Sequence, residues 1–302
     1  MRRSDSLPGE IRGWVAARVG EPVGFEAAVG GGTPVAGVVR TRDDEFFLKA
    51  VRLDSPAVAD YRLEALVAPV VPAPRLRLQE EVGGWFVLCF DVAPGHQPVE
   101  PWDEPELRGV LSAVDRMAAD LQHSLTPGLP TVADRMKGRC STWRQLHAHG
   151  SRDGLSLSAV TEWERSALSR LAAVEADWEG LVRGDSLLHF DLRHDNLRVT
   201  PGGEVVMLDW GRACVGPSWV DQMCLLLESS IGDLDADELF LSTRLGAAAA
   251  PDEVDAFLVA LSSYWRHIAV QPVDEASAWI RVRQQRSGAA TIRWLSRRWI
   301  SR

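Results

Sequence analysis

The sequence predicts an α+β protein with a small, antiparallel β-rich N-terminal lobe and a larger, mainly helical C-terminal lobe. The length of 302 residues exceeds the usual size of one domain. Short β-rich runs fill the first third of the chain, and helix-spaced apolar residues dominate the rest. A segment rich in Pro and Gly, 93–98, separates the two patterns. We therefore expect an N-terminal lobe at 1–92 and a C-terminal lobe at 93–302.

The N-terminal lobe is predicted to be a meander of antiparallel strands interrupted by one helix. Its β-branched or alternating runs are separated by Gly, Pro or Asp, which is typical of such strands. Ser55 is a suitable N-cap for the helix, and Pro56 fits its first turn. Pro69 and Pro72 are expected to end the helix. The predicted strands are 34–40, 45–51, 75–79 and 85–90.

The C-terminal lobe is predicted to be helical with a short β insertion. Apolar residues recur at helical spacing in 104–123 and again in 157–181. Short strands follow at 186–189, 197–200 and 205–208, and the turn Pro201-Gly202-Gly203 joins the last two. The remaining residues, 217–302, are expected to form about four helices.

Composition narrows the function classes. The net charge is 33 − 42 = −9, which argues against nucleic acid as a partner and permits a cationic substrate. No run of about 20 apolar residues is present, and the charged N-terminus lacks a signal-peptide pattern, so we expect neither a membrane partner nor secretion. The four cysteines show no C-x-x-C spacing and are expected to be reduced, mostly buried thiols in a cytoplasmic protein.

Three oxygen-bearing side chains follow the first and last strands of the β insertion. Asp191 comes just after the strand 186–189, Asn196 follows five residues later, and Asp209 ends the strand 205–208. A hairpin would return Asp209 to the side of Asn196. Carboxylate and amide oxygens suit Mg²⁺, which usually uses few protein ligands together with phosphate and water.

This arrangement resembles a known catalytic motif. The pattern H-x-D-x-x-x-x-N at 189–196, followed by D-W-G at 209–211, resembles the catalytic loop and metal-binding motif of the protein-kinase-like fold. More narrowly, it is similar to the aminoglycoside phosphotransferase family and its relatives acting on choline or homoserine. The resemblance implies ATP (or GTP) and Mg²⁺ as cofactors. It implies that Asp191 accepts the proton of the attacking hydroxyl or orients that hydroxyl, and that Asn196 and Asp209 hold the metal.

The resemblance also assigns residues around the loop. Arg193 would either contact the transferring phosphoryl group or cover the loop surface. His189 would brace the loop, and Asp221 matches a family aspartate that anchors the loop backbone.

Kinase-like chemistry further requires a cation for the nucleotide phosphates. Lys49, in an apolar strand, fits this role and needs a buried anionic partner. Glu64 in the interrupting helix is the predicted partner, and Glu80 or Glu81 would replace it only in another helix register.

Two backbone segments are predicted to complete the nucleotide site. The Gly-rich turn, with Gly31, Gly32 and Thr33, could bring N–H groups to the phosphates. A flexible hairpin turn explains the same glycines nearly as well. Main-chain groups of Phe90, Asp91 and Val92 are expected to contact adenine, as the family implies.

The expected function is phosphorylation of a hydroxylated small molecule. The leading acceptor class is a hydroxyl-bearing antibiotic, modified for resistance or for self-protection in a producer. The alternatives are a metabolite kinase and an inactive nucleotide-binding regulator, and a monomer and a homodimer are both open. The acidic run at 233–238 could receive a cationic acceptor or could simply favour the start of a helix, and the C-terminal tryptophans could line a pocket or pack in the core.

Overall fold

The computed structural model describes residues 6–28, 35–121, 128–229, 232–272 and 278–300. The chain divides into two compact units, one formed by Met1–Pro98 with Asp191–Ala213, the other by Val99–Phe190 with Cys214–Arg302. The sequence prediction instead placed 191–213 with the C-terminal lobe, and its division at residues 92 and 93 stays a prediction. No helix in the described residues is long and apolar enough to cross a membrane.

The first unit contains a five-stranded antiparallel sheet between two helices. Helix α1 (Gly9–Arg18) covers one face and α2 (Val58–Val67) packs on the other. The sheet order is β1-β2-β3-β5-β4. The strands are β1 (Gly24–Ala27), β2 (Val35–Arg40), β3 (Glu45–Arg52), β4 (Leu76–Val82) and β5 (Trp85–Phe90).

Alternation along β3 directs its side chains to two cores. Phe46 and Leu48 are buried against α1, whereas Val51 packs on the face covered by α2. Because successive strand residues point to opposite faces, Lys49 lies on the α2 face. Helix α2, which carries Glu64, therefore packs on the same face of the sheet as Lys49.

Two elements of this unit were not predicted. The sequence of α1 carries only Ile11, Trp14 and Val15 as buried residues and includes two glycines, so its amphipathic pattern is weak. Strand β1 has only four residues. Helix α2 was predicted, but it begins at Val58, and Ser55 is not its N-cap; the Ser55 hydroxyl accepts instead from the N–H of Ala57 at 3.3 Å.

A small hairpin completes the first unit. Strands β9 (Leu197–Val199) and β10 (Val205–Met207) pair antiparallel. The N–H of His96 donates to the Val199 carbonyl at 3.0 Å, and the N–H of Met207 donates to the Pro72 carbonyl at 3.3 Å. These bonds fix the hairpin against the first segment of the chain.

The second unit is mainly helical, as predicted. Its described helices are α3 (Glu104–Asp120), α4 (Val132–Met136), α5 (Thr142–His149), α6 (Glu162–Ser166), α7 (Leu168–Leu181), α8 (Val220–Ser229), α9 (Ala236–Leu241), α10 (Arg244–Ala248), α11 (Pro251–Ala269) and α12 (Ala278–Ile300). Its strands are β6 (Ser151–Arg152), β7 (Leu155–Ser156), β8 (Ser186–Leu188) and β11 (Cys214–Gly216). The single predicted helix at 157–181 is split into α6 and α7. The predicted α+β class, with an antiparallel sheet in one unit and mainly helices in the other, is confirmed.

Candidate active site

Lys49 is the centre of a buried ion cluster in the first unit. Its ammonium pairs with the carboxylate of Glu64 on α2 and, at 2.8 Å, with that of Asp209. Lys49 and Glu64 are 5% and 4% exposed. The ammonium also lies 5.2 Å from the ring centre of Tyr61 and 5.9 Å from that of Phe90. The predicted Lys49–Glu64 pair is therefore present.

Burial and charge act in opposite directions on this pair. Burial lowers the pKa of Lys49, but the charges of Asp209 and Glu64 outweigh it and raise that pKa overall. Burial raises the pKa of Glu64 from 4.5 to about 7, and the attraction of Lys49 only partly offsets it. Lys49 thus stays cationic, while Glu64 titrates near neutrality.

Asp209 stands on a turn that is tied to α2. Its backbone is left-handed, with φ 63° and ψ 61°, and its side chain is 52% exposed. The backbone N–H of the next residue, Trp210, donates to Glu64. Gly211 then passes so close to α2 that a Cβ there would lie 3.2 Å from the Asp60 carbonyl oxygen. This distance is shorter than most Cβ contacts, so the glycine lets the D-W-G turn lie close against α2.

Asn196 links this turn to Asp191. The Leu208 N–H donates to the Asn196 carbonyl at 2.8 Å across the β9–β10 hairpin. The side-chain amide nitrogen of Asn196 donates to the Asp191 carbonyl at 2.8 Å and reaches its carboxylate at 3.4 Å. This directs the side-chain oxygen of Asn196 away from Asp191. The predicted catalytic and metal-binding residues thus belong to one bonded network.

Arg193 bridges two carboxylates of the loop. Its Nη1 donates to both oxygens of Asp191 at 2.9 Å. Its Nε and Nη2 donate to the two oxygens of Asp195 at 2.8 and 2.7 Å. Arg193 was predicted to lie near the transferring phosphate or on the loop surface, and the contact with Asp195 was not predicted. The only indication of this contact in the sequence was that Asp195 lies two residues after Arg193.

A protein-family model matches most of the chain. The sequence model of the phosphotransferase enzyme family, APH, matches residues 38–257. The chain belongs to this family. The match spans the segment from β2 to α11, which includes every described member of the network above.

Solved structures of other phosphotransferases share the fold. Choline kinase LicA from Streptococcus pneumoniae is 15% identical, with 93% of this chain and 98% of that chain covered and a TM-score of 0.55. An aminoglycoside phosphotransferase from Alicyclobacillus acidocaldarius is 14% identical, with coverages of 98% and 97% and a TM-score of 0.58. The phosphotransferase APH(4)-Ia, in a ternary complex with ADP and hygromycin B, is 12% identical, with coverages of 93% and 97% and a TM-score of 0.59. No curated protein matches the chain.

In this phosphotransferase the segment preceding Asp191 is anchored within the second unit. The buried Asp221 carboxylate accepts from the backbone N–H groups of His189 and Phe190, both at 2.8 Å. Burial raises the pKa of Asp221, while His189 and the two N–H donors oppose that rise. Phe190 has φ 62°, an uncommon conformation for a residue with a side chain. The predicted anchoring contact of Asp221 is confirmed, and it holds the residue before Asp191 in this conformation.

The remaining predicted nucleotide contacts are placed only in part. Gly31, Gly32 and Thr33 lie outside the described residues, so their phosphate contacts stay predictions. Phe90 ends β5, and the next N–H, that of Asp91, donates to the Arg75 carbonyl at 3.0 Å. The Asp91 N–H is thus already bonded within the first unit. Adenine contacts by the main chain around Phe90 and Val92 stay a prediction.

Two carboxylates of the acidic run make contacts within the second unit. Asp235 caps α9 by accepting from the N–H groups of Asp237 and Glu238. Asp237 accepts from the indole N–H of Trp294 at 2.8 Å and pairs with Arg298 of α12. These contacts support the helix-start interpretation for Asp235 and Asp237.

The cysteines and one C-terminal tryptophan, Trp294, follow the packing interpretations. Cys89, Cys140 and Cys214 are buried and Cys224 is half-buried, all four as unbridged thiols. Trp294 is buried in the core of this unit.

Proposed function

We propose that this chain is an ATP- or GTP-dependent O-phosphotransferase that uses Mg²⁺ and transfers the γ-phosphoryl group to a hydroxyl of a small molecule. The proposed acceptor is a hydroxylated antibiotic such as an aminoglycoside, modified for resistance or producer self-protection. The observation that carries this proposal is the bonded network from Glu64 and Lys49 through Asp209 and Asn196 to Asp191. Unbridged thiols support a cytoplasmic location.

Lys49 would position the nucleotide phosphates. Its charge is fixed by two carboxylates, and Glu64 and the rings of Tyr61 and Phe90 hold the side chain in place. A cation immobilised before the substrate arrives loses little conformational entropy on binding. Such preorganised charge is a main source of catalysis in phosphoryl transfer.

The residues present fit a magnesium ion. The half-exposed Asp209 carboxylate and the side-chain oxygen of Asn196 are hard oxygen donors, and a set of this size matches the few protein ligands that Mg²⁺ uses beside phosphates. When bound, the ion would neutralise charge on the phosphate oxygens.

Asp191 would act on the acceptor hydroxyl. The hydroxyl oxygen attacks the γ-phosphorus, the bond to the β-phosphate oxygen breaks, and the proton passes to the Asp191 carboxylate. Asn196 and Arg193 orient that carboxylate, and Asp221 holds the backbone leading to it. The protein therefore contributes positioning and charge, and no covalent intermediate is needed.

A coupled assay of ATP consumption tests this proposal. Hygromycin B, kanamycin, choline and homoserine would each be supplied to the wild type and to Asp191→Asn. We expect consumption that depends on one of these acceptors, and at least a 100-fold loss in the variant with its affinity for a fluorescent ATP analogue kept within about threefold. Asp43→Asn, the same change on an exposed turn, should keep full activity. Wild-type-like turnover by Asp191→Asn would refute the assignment of the base.

The panel also separates the acceptor classes. The shared fold with choline kinase supports a metabolite kinase as the alternative, and turnover of choline or homoserine alone would favour it. Binding of the ATP analogue without turnover of any acceptor would favour a nucleotide-binding regulator.

A further inference from the structure

Asp195 occupies a two-bond edge of the Arg193 guanidinium. The Nε and Nη2 atoms of a guanidinium form a fork that matches a carboxylate, and here Asp195 fills this fork with two bonds of 2.8 and 2.7 Å. Nη1 reaches Asp191, at 2.9 Å from each oxygen. Arg193 therefore holds Asp191 by one nitrogen and Asp195 by two.

The way Arg193 divides its donors affects Asp191, whose carboxylate is the base in the proposed function. A bidentate fork on Asp191 would direct a strong bond to each oxygen and would compete with an acceptor hydroxyl for them. The partial exposure of the Asp191 side chain, 33%, leaves room for that hydroxyl. Asp195 keeps the fork turned away from Asp191.

We propose that Asp195 is a positioning residue that holds the Arg193 fork, so that Arg193 orients Asp191 through Nη1. The proposal rests on the proposed function, because its consequence is an Asp191 carboxylate aligned to receive the hydroxyl proton. It concerns the orientation of Arg193 and Asp191, and it leaves the contacts of Lys49 with the nucleotide unchanged.

The kinetic test removes the charge of Asp195 at constant size. In Asp195→Asn, the amide nitrogen cannot accept from Arg193, so the two-bond fork is lost. We expect kcat to fall about 10- to 100-fold with KM for ATP within about twofold, since small misalignments of a base are costly while nucleotide binding uses other residues. Asp195→Glu, which keeps the carboxylate, should recover part of the loss. Asp43→Asn is the matched control for charge removal.

A double-mutant cycle asks whether Asp195 acts through Arg193. In the Arg193→Gln background, Asp195→Asn should change kcat less than about twofold, because the intermediary is already absent. A full and additive loss in that background would overturn the proposal and would direct attention to other neighbours of Asp195, such as Arg198. An unchanged kcat in Asp195→Asn alone would overturn it as well. Binding of the fluorescent ATP analogue checks that each variant is folded.

An NMR measurement that needs no turnover tests this inference separately from the proposed function. The Nε–H proton of Arg193 should exchange slowly with solvent in ¹⁵N NMR spectra of the wild type and several-fold faster in Asp195→Asn. Fast exchange in the wild type would refute the fork itself. If the wild type phosphorylates no acceptor, the proposed function fails, while this NMR comparison still decides whether Asp195 holds Arg193.

Discussion

The buried Glu64 gives a sharp pH-dependent prediction for Glu64→Gln. Burial raises the pKa of Glu64 from 4.5 to about 7, so between these values the folded protein binds more protons than the unfolded chain. The free energy of unfolding contributed by Glu64 is then fully present below pH 4.5 and is lost as the pH rises through 7. The glutamine amide of the variant cannot ionise, so the variant should not show this loss.

The size of the effect follows from the two pKa values. A pKa raised from 4.5 to about 7 corresponds to about 3 kcal/mol in total, most of which falls between pH 5 and pH 8. Over that range, the free energy of unfolding of Glu64→Gln minus that of the wild type should rise by most of this amount. Lys49 keeps Asp209 as a partner at 2.8 Å, so the variant retains a paired cation.

Urea denaturation at several pH values, followed by tryptophan fluorescence, measures this difference. The control is Glu81→Gln on β4, which removes an exposed carboxylate that also pairs with α2 through Arg62. An exposed pair contributes little, so this control should differ from the wild type by less than about 1 kcal/mol at every pH. A Glu64→Gln difference that is independent of pH, or that grows as the pH falls, would refute the reasoning.

Two further predictions concern stability and carry matched controls, each measured by urea or thermal unfolding. Gly95→Ala should lower the free energy of unfolding by about 1–3 kcal/mol, because Gly95 has φ 97° and the new Cβ would lie 2.4 Å from the Val199 carbonyl oxygen. Gly13→Ala, in an open helix position, should raise it by up to about 1 kcal/mol. Equal effects of the two changes would contradict the close approach at Gly95. Arg298→Ala should lower the free energy of unfolding by about 3–5 kcal/mol, because it leaves the buried carboxylate of Asp255 without its cation. Arg297→Ala, whose side chain is 64% exposed, should change it by less than about 1 kcal/mol. A small loss for Arg298→Ala would show that its ion pairs do not stabilise the fold.

The parts of the site that sequence reasoning found follow from strict chemical requirements. A lysine in an apolar strand needs a buried anion, and only one helix precedes the next strand, which singled out Glu64 for Lys49. The order and spacing of Asp191, Asn196 and Asp209, with a hairpin between the last two, fixed their proximity.

The parts that it missed depend on contacts that no local pattern encodes. Asp195 meets Arg193 in an irregular loop, where no helical or strand period relates the two side chains. Asp237 pairs with Arg298, 61 residues away, and a contact this distant in sequence left two interpretations of the acidic run open, a site for a cationic ligand and a helix start. Helix α1 carries too few apolar residues to give a clear period.

The most direct test of the central claim is to follow the γ-phosphorus of ATP by ³¹P NMR with the acceptor that stimulates consumption most. The account predicts that a phosphomonoester signal of the acceptor grows in step with ADP, and that neither grows with Asp191→Asn. Release of inorganic phosphate without a phosphorylated acceptor, or formation of AMP and pyrophosphate, would contradict it.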